Sequence, residues 1–577
     1  MKNLLKAINY LFIGLDKKQF KRLILISGLI LICAVLEAIG ISLVIPLVSI
    51  IFDPNYFSEN KFLGSFFSNK LQINTILYLV ALLGLFFIFK NLFILFMNWI
   101  QHKLINLVSI EMSQKLYRTY LNSPYQFHAT SNKGQLYNNI SHITSFISGL
   151  EALMTIFAET LILICILLFL LYFEFLGTLV ILLTFILFAS IIFMFTSQKL
   201  ASWGKLRFDY TEKRIRIVTQ AFTGIKEIKI LNKENYFFDK FSENEKKDLG
   251  VKIKEKITIL LPRLSFEIAF ITCILSFLLY KLSFSFQAGE VIALLALYAA
   301  AFFRIFPSAI RIMNETNRLI NVSKLIEKIY FELKLNREVN IEKNETNHQF
   351  LLKKNLVIKN LTFKFDRETK NLINSINLEI RFGESIGIIG KTGSGKSTFV
   401  NLITGLIKPI SGAILVDGNN INMNYKCWQK QIGYVFPETF LINDTIKKNI
   451  ALGVKEENID NYLIQNAIIK SELFDFVEGL KEKADTKIGE FGANISSGQR
   501  QRIGIARALY HNPKPKLLIL DEATSALNLE VEKKILSHIK KLEKDMTILI
   551  ISHRESTLIN CDRIFKIEKG KLNQIKN

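Results

Sequence analysis

Cysteine is scarce in this chain, five among 577 residues, and Cys33, Cys165, Cys273, Cys427 and Cys561 stand far apart. That spacing excludes a zinc cluster or a disulfide framework. The N-terminal stretch MKNLLKAINYLFIGLDKKQFKR has no small-residue cleavage site, and Asp16 and several lysines break its apolar patch. A removable signal peptide is therefore not expected. The formal net charge of +23 comes without a basic patch interleaved with aromatics, so nucleic acid is not expected as a partner. The positive charge lies in loops and in the C-terminal half, as suits positive-inside topology and a surface near anionic lipid.

What the chain has is apolar length. Hydrophobic residues make up 50% of it, Phe alone occurs 47 times, and the apolar runs are concentrated before position 315. Six segments, near 23–51, 75–99, 150–173, 175–197, 257–283 and 288–313, suffice to cross about 30 Å of hydrocarbon at about 20 residues per helix. Lys17, Lys18, Lys21 and Arg22 precede the first, the 199–256 stretch is rich in Lys and Arg, and the 52–74 loop is not. This places both termini on the cytoplasmic side. Helical periodicity continues through the long connections 100–149 and 198–256, so helices are expected to run well past the membrane. Within the first outer loop, residues 52–67 space Phe, Tyr and Leu helically, which fits either an amphipathic helix in the outer leaflet or a packed loop. The expected architecture is a transmembrane domain of six helices with cytoplasmic extensions over 1–320, a polar linker over 321–350, and an α/β P-loop domain over 351–577.

The last span carries Arg304 and Arg311. An arginine at membrane depth costs roughly 2.5–3.5 kcal/mol on insertion scales, so such a residue faces a cavity, a partner or a ligand. Seven residues apart, the two share one helix face, about 10 Å apart along the axis.

In the C-terminal half, the strand-like ESIGIIG leads into GKTGSGKSTFVNLITG. Gly390, Lys391, Thr392, Gly393, Ser394, Gly395, Lys396 and Ser397 fit G-x-x-x-x-G-K-[ST] between a strand and a helix, with Thr398 following. Backbone N–H groups would wrap ATP phosphates, Lys396 would reach the β- and γ-phosphates, and Ser397 would hold Mg²⁺. The apolar strand LLIL ends in Asp521, a carboxylate for Mg²⁺ or its water, and Glu522, a second one placed to activate an attacking water.

Between them lies ISSGQRQRIGIARAL, and after them ILIISHR with His553. With these, residues 352–577 resemble the ABC ATPases. The resemblance implies that Ser496, Ser497, Gly498 and Gln499 belong to the signature that closes on the γ-phosphate held by a second subunit. It also implies that Phe365 stacks on adenine, that His553 contacts the γ-phosphate, and that TKIGEFG with Glu490 is the segment preceding the signature in exporters. One membrane half and one ATPase half imply a homodimer. The sequence departs from the family at Pro437, where a Mg²⁺-ligating glutamine is usual, with Glu438 as a substitute. It departs again at Asn528, where Asp is usual, and at Ser497, where Gly is usual.

Over its whole length the chain resembles ABC exporters. Through FDPNYFSENKFLGSFF, KNLFILFMNW, LPRLSFEIAF and FRIFPSAIR it is similar to bacterial flippases for undecaprenyl-pyrophosphate-linked oligosaccharides of protein glycosylation. That resemblance implies an inner-membrane location, a lipid-linked oligosaccharide substrate, and a role for Lys90, Arg263, Arg304 and Arg311 in attracting its pyrophosphate. Pairing of these cations with Glu37, Glu159 and Glu267 is the structural alternative. Export of lipids, drugs or peptides, or a weakly active regulatory subunit, are the alternative functions.

Overall fold

The structure, a computed structural model, describes residues 2–42, 73–173, 175–283, 288–341, 350–365, 370–523, 527–540 and 546–576. The 52–67 stretch of the first outer loop lies outside these residues. The chain divides into two units, Met1–Ser123 with Ser131–Ile341, and Pro124–Thr130 with Glu342–Asn577.

The first unit is helical among its described residues. It comprises α1 (Lys2–Gly14), α2 (Lys17–Ser42), α3 (Ile73–Asn122), α5 (Lys133–Ser141), α6 (Ile143–Phe173), α7 (Phe175–Thr223), α8 (Ile225–Leu231), α9 (Glu234–Ser283) and α10 (Ala288–Ile341). The intervening α4 (Tyr125–Thr130) belongs to the second unit. Along the chain, α10 packs on α6 and α9 on α7. The helices α2, α3, α6, α7, α9 and α10 overlap the six expected spans. Four stretches among the described residues are long and apolar enough to cross a membrane, namely Lys17–Gly40, Val80–Asn122, Lys133–Leu168 and Ile186–Thr223. At 50 residues and 1.5 Å per residue, α3 spans about 75 Å, far more than a bilayer needs, which agrees with the expected extensions. Exposed Leu82, Leu85, Phe89, Leu92 and Trp99 on α3 suit a hydrocarbon surrounding.

Of the linker expected over 321–350, the residues to 341 are helical, and 342–349 lie outside the described residues. Residues 321–341 continue α10, because Leu319, Ile326, Ile329 and Leu333 recur at helical spacing and are all buried. The second unit takes up the chain again at Glu342.

That unit holds a six-stranded sheet ordered β10-β9-β3-β8-β7-β6 and a four-stranded sheet ordered β2-β1-β4-β5. The strands are β1 (Asn355–Phe363), β2 (Ile373–Arg381), β3 (Ser385–Ile389), β4 (Ser411–Val416), β5 (Asn419–Asn420), β6 (Ile432–Val435), β7 (Leu517–Asp521), β8 (Thr547–Ile551), β9 (Arg563–Glu568) and β10 (Lys571–Lys576). In the larger sheet β9, β3, β8, β7 and β6 run parallel, and β10 is antiparallel. β3, β7 and β8 are almost wholly buried runs of aliphatics, as parallel strands covered on both faces require. Helix α11 (Lys396–Ile403) covers this core through Phe399, Val400 and Leu402, and the buried Trp428 donates its indole N–H to the Ile403 carbonyl at 2.7 Å. In the smaller sheet the β1–β4 register shifts between Lys359 and Thr362. Gly412 sits opposite the shift at φ +88°, and a Cβ there would lie 2.4 Å from the carbonyl oxygens of Asn360 and Lys359. Gly412→Ala is expected to cost the ATPase unit about 1–3 kcal/mol, seen as an earlier melting transition in thermal unfolding.

Candidate nucleotide site

Three neighbouring parallel strands, β3, β8 and β7, end at the same edge of the sheet, so residues far apart in sequence meet there. β3 delivers the glycine-rich loop, β7 delivers Asp521 and Glu522, and β8 delivers His553. Such an edge, beyond the carboxyl ends of parallel strands, is where ligands bind in α/β sheets.

The loop is built for phosphate oxygens. Gly395 caps the start of α11 at φ +101°, a conformation that side chains disfavour. The Lys396 ammonium turns back on the loop, donating to the carbonyls of Gly390 at 2.7 Å and Lys391 at 3.2 Å, and lies 3.3 Å from His553 Nε2. Burial pushes its pKa down, against the opposing pull of Glu522 and Asp521. The Ser394 hydroxyl is buried without a hydrogen-bond partner among the described residues. An ammonium on carbonyls and an orphaned hydroxyl are both groups that a triphosphate satisfies, so the residues present fit ATP.

Asp521 and Glu522 are adjacent but differently placed. Asp521 is 2% exposed, and burial pushes its carboxyl up from the usual carboxylate range, while a hydrogen bond from Tyr434 at 3.1 Å pulls it down. The Asp521 carboxylate and the Ser397 hydroxyl both offer oxygen donors, the kind that would suit Mg²⁺. Glu522 takes a left-handed φ of +51°, held by its N–H donating to the Ile551 carbonyl at 2.9 Å. The buried Gln501 donates its amide to the Glu522 carbonyl at 3.3 Å. Glu522 Oε1 is 2.8 Å from His553 Nε2. A non-glycine residue in that region stores strain, here spent on turning a carboxylate out of the strand end.

Other expected site residues are dispersed in role. Ser496 caps α12 (Ser497–His511) by accepting from the Gln499 N–H at 3.2 Å, while Gln499 Oε1 accepts from the Ser496 N–H at 2.7 Å. This reciprocal box leaves the N–H groups of Ser497 and Gly498 at a helix start without an acid in its first turn, ready for an anion. Phe365, half-buried, meets Phe363 edge-on with centroids 5.1 Å apart. Glu490 opens a short 3₁₀ turn, Glu490–Gly492. Pro437 is half-buried and Glu438 is exposed, with no ion pair to Glu438 among the described residues. Asn528 accepts from the Val531 N–H at 3.0 Å and so caps α13 (Leu529–Lys540). Sequence reasoning singled out neither Tyr434 nor Gln501. Tyr434 could have been found only from its place in the strand entering the loop of Pro437, and Gln501 only from its place one turn into the signature helix.

A family profile of the ABC transporter transmembrane region matches residues 23–306, and one described as ABC transporter matches residues 373–525, about three quarters of the chain between them. The chain belongs to the ABC transporters. It is 40% identical over 222 residues to the leukotoxin translocation ATP-binding protein LktB of Mannheimia haemolytica, covering 38% of this chain and 31% of that protein. The same protein of Bibersteinia trehalosi gives the same figures, and that of Mannheimia glucosida 40% over 218 residues. The matched stretch spans about a third of the length of these relatives. A solved structure of a bacterial Atm1-family ABC exporter with ATP bound superposes with a TM-score of 0.74 at 20% identity, over 97% of this chain and 96% of that one, which shows a shared fold.

In the membrane unit of this ABC transporter, three of the four candidate substrate cations are paired. Glu37 accepts from Lys90 and from Arg304, each at 3.1 Å, and Lys90 also lies 4.5 Å from the centroid of the Phe87 ring. Arg311 meets Glu159 at 2.8 Å, and Ser308 donates to the same carboxylate at 2.6 Å. The structural alternative thus describes this conformation for Glu37 and Glu159. Arg263 and Glu267 are exposed on α9, and neither is in an ion pair among the described residues.

Proposed function

We propose that this ABC exporter half-transporter pairs with a second copy in the inner, cytoplasmic membrane, both termini facing the cytoplasm. The pair uses ATP to move a lipid-linked oligosaccharide, carried on a polyprenyl pyrophosphate, to the outer leaflet. In this reading Glu522 is the general base, Lys396 binds the terminal phosphates, and Ser397 and Asp521 hold Mg²⁺. His553 contacts the γ-phosphate, Phe365 supports adenine, and the Ser496–Gln499 helix start of one copy closes on nucleotide held by the other.

The observation that carries the substrate reading is the charge around Glu37. Lys90 and Arg304 share that single carboxylate, so the buried cluster keeps one net positive charge, and the Arg304 Nε is buried without a partner among the described residues. A pyrophosphate, which cannot cross hydrocarbon unaided, is the kind of anion such a surplus attracts, and guanidinium forks match its oxygens. Replacing Arg304 with Gln, which leaves Lys90 to balance Glu37, is expected to leave basal ATP hydrolysis and thermal stability largely intact. Lipid-linked oligosaccharide translocation in proteoliposomes, and its stimulation of hydrolysis, should be lost. Normal flipping by the stable Arg304→Gln variant would overturn the pyrophosphate role. A second reading, protein or peptide export, is favoured by the similarity to the leukotoxin translocation proteins. Stimulation of ATP hydrolysis by a polypeptide and not by the glycolipid would select it.

A further inference from the structure

Two elements of the ATPase unit converge on Tyr434. Strand β6 pairs in parallel with β7, Tyr434 opposite Ile519, which sets its phenol beside the last residue of β7. Its hydroxyl donates to Asp521 Oδ2 at 3.1 Å, the one side-chain hydrogen bond that this carboxylate accepts among the described residues. The ring is half-buried and tilts 36° against Phe436, with centroids 4.0 Å apart, so a second side chain packs against it. The loop that leaves β6 supplies nothing comparable. Pro437 has no side-chain donor or acceptor, and Glu438 is exposed.

We propose that Tyr434 is the positioning residue of the divalent-cation site: its hydroxyl holds one oxygen of Asp521 so that the other points to the cation or its water. A buried carboxylate on a strand end has two χ angles to fix, and a hydrogen bond to one oxygen fixes them while leaving the second oxygen available. Proline at position 437 is then tolerated, because the orienting contact comes from the strand and not from the loop after it. The inference rests on the ATPase reading of the site.

The test uses the full-length protein in lipid nanodiscs and the non-hydrolysable nucleotide adenylyl imidodiphosphate. Its affinity is measured with Mg²⁺ and in EDTA, beside the Mn²⁺ electron paramagnetic resonance spectrum of the loaded protein and nucleotide-free thermal stability. Tyr434→Phe keeps the ring and its stacking. It is expected to reduce the gain in affinity conferred by Mg²⁺ about tenfold, the size of one hydrogen bond to a charged group, and to alter the Mn²⁺ spectrum. Affinity in EDTA should stay as in the parent, and the nucleotide-free melting transition should shift by no more than the loss of one hydrogen bond brings. Pro437→Gln in the Tyr434→Phe background, by setting an amide in the adjoining loop, is expected to restore much of the Mg²⁺ gain. An unchanged Mg²⁺ gain would overturn the proposal, as would equal losses with Mg²⁺ and in EDTA, or a fall in nucleotide-free stability larger than one hydrogen bond brings, since those mark a merely structural tyrosine. Failure of the parent protein to bind nucleotide at all would instead overturn the ATPase reading.

Discussion

Glu522→Gln is expected to lower ATP turnover by about 100-fold or more while leaving nucleotide affinity near that of the parent, the range that positioned proton transfer contributes. The amide is nearly isosteric, so the left-handed backbone at Glu522 and its N–H bond to Ile551 are preserved. What disappears is a carboxylate that can take a proton from water. Lys396 and its contacts to Gly390 and Lys391 are untouched, so the phosphates still have their cradle. His553 loses its charged partner 2.8 Å away but can still donate to the amide oxygen. Steady-state phosphate release beside equilibrium nucleotide binding checks this. Wild-type turnover by Glu522→Gln would mean that another group activates the water.

Glu37→Ala should be the most destabilising change in the membrane unit, by about 3–5 kcal/mol, because it strands buried cations where a pair stood. Lys90 and Arg304 both lean on this carboxylate, from α3 and α10, while Glu37 itself is on α2. Its loss therefore leaves two unpaired charges and cuts the bond among three helices. Lys90→Met should behave in the opposite sense. It removes one cation, leaves Glu37 and Arg304 as a balanced pair, and costs little stability. Thermal unfolding of the two variants in the same lipid decides the matter. Equal losses would show that packing, and not charge balance, governs this cluster. The comparison also bears on transport, since Lys90→Met removes the surplus charge without touching Arg304.

How much of this was legible in the sequence follows from how local each signal is. The phosphate loop is contiguous, and its strand, glycines and helix announce themselves within one stretch, as do Asp521 and Glu522 at the end of an apolar run. The bond from Tyr434 to Asp521 crosses 87 residues and exists only because β6 pairs with β7. No spacing rule reaches that far. The intramembrane cations were legible as costly residues, and the available acids as partners. Which acid meets which cation depends on how α2, α3, α6 and α10 pack, and two cations converging on Glu37 could not be read from one-dimensional order. The polar stretch after 320 misled for a different reason. Leu319, Ile326, Ile329 and Leu333 keep a helical stripe among many charged neighbours, so composition suggested a linker where periodicity continued a helix.

The short α4 carries a consequence for the order of synthesis. Pro124–Thr130 belongs with the ATPase unit, yet residues 131–341, all of the other unit, separate it from the rest. At about 5–20 residues per second, roughly 10–40 s pass between its release from the ribosome and that of Glu342. During that interval the rest of its unit has yet to be made, and α5 to α10 are made while it waits. An ATPase domain excised at residue 342 would accordingly be an incomplete object, short of seven residues that the ribosome delivered first.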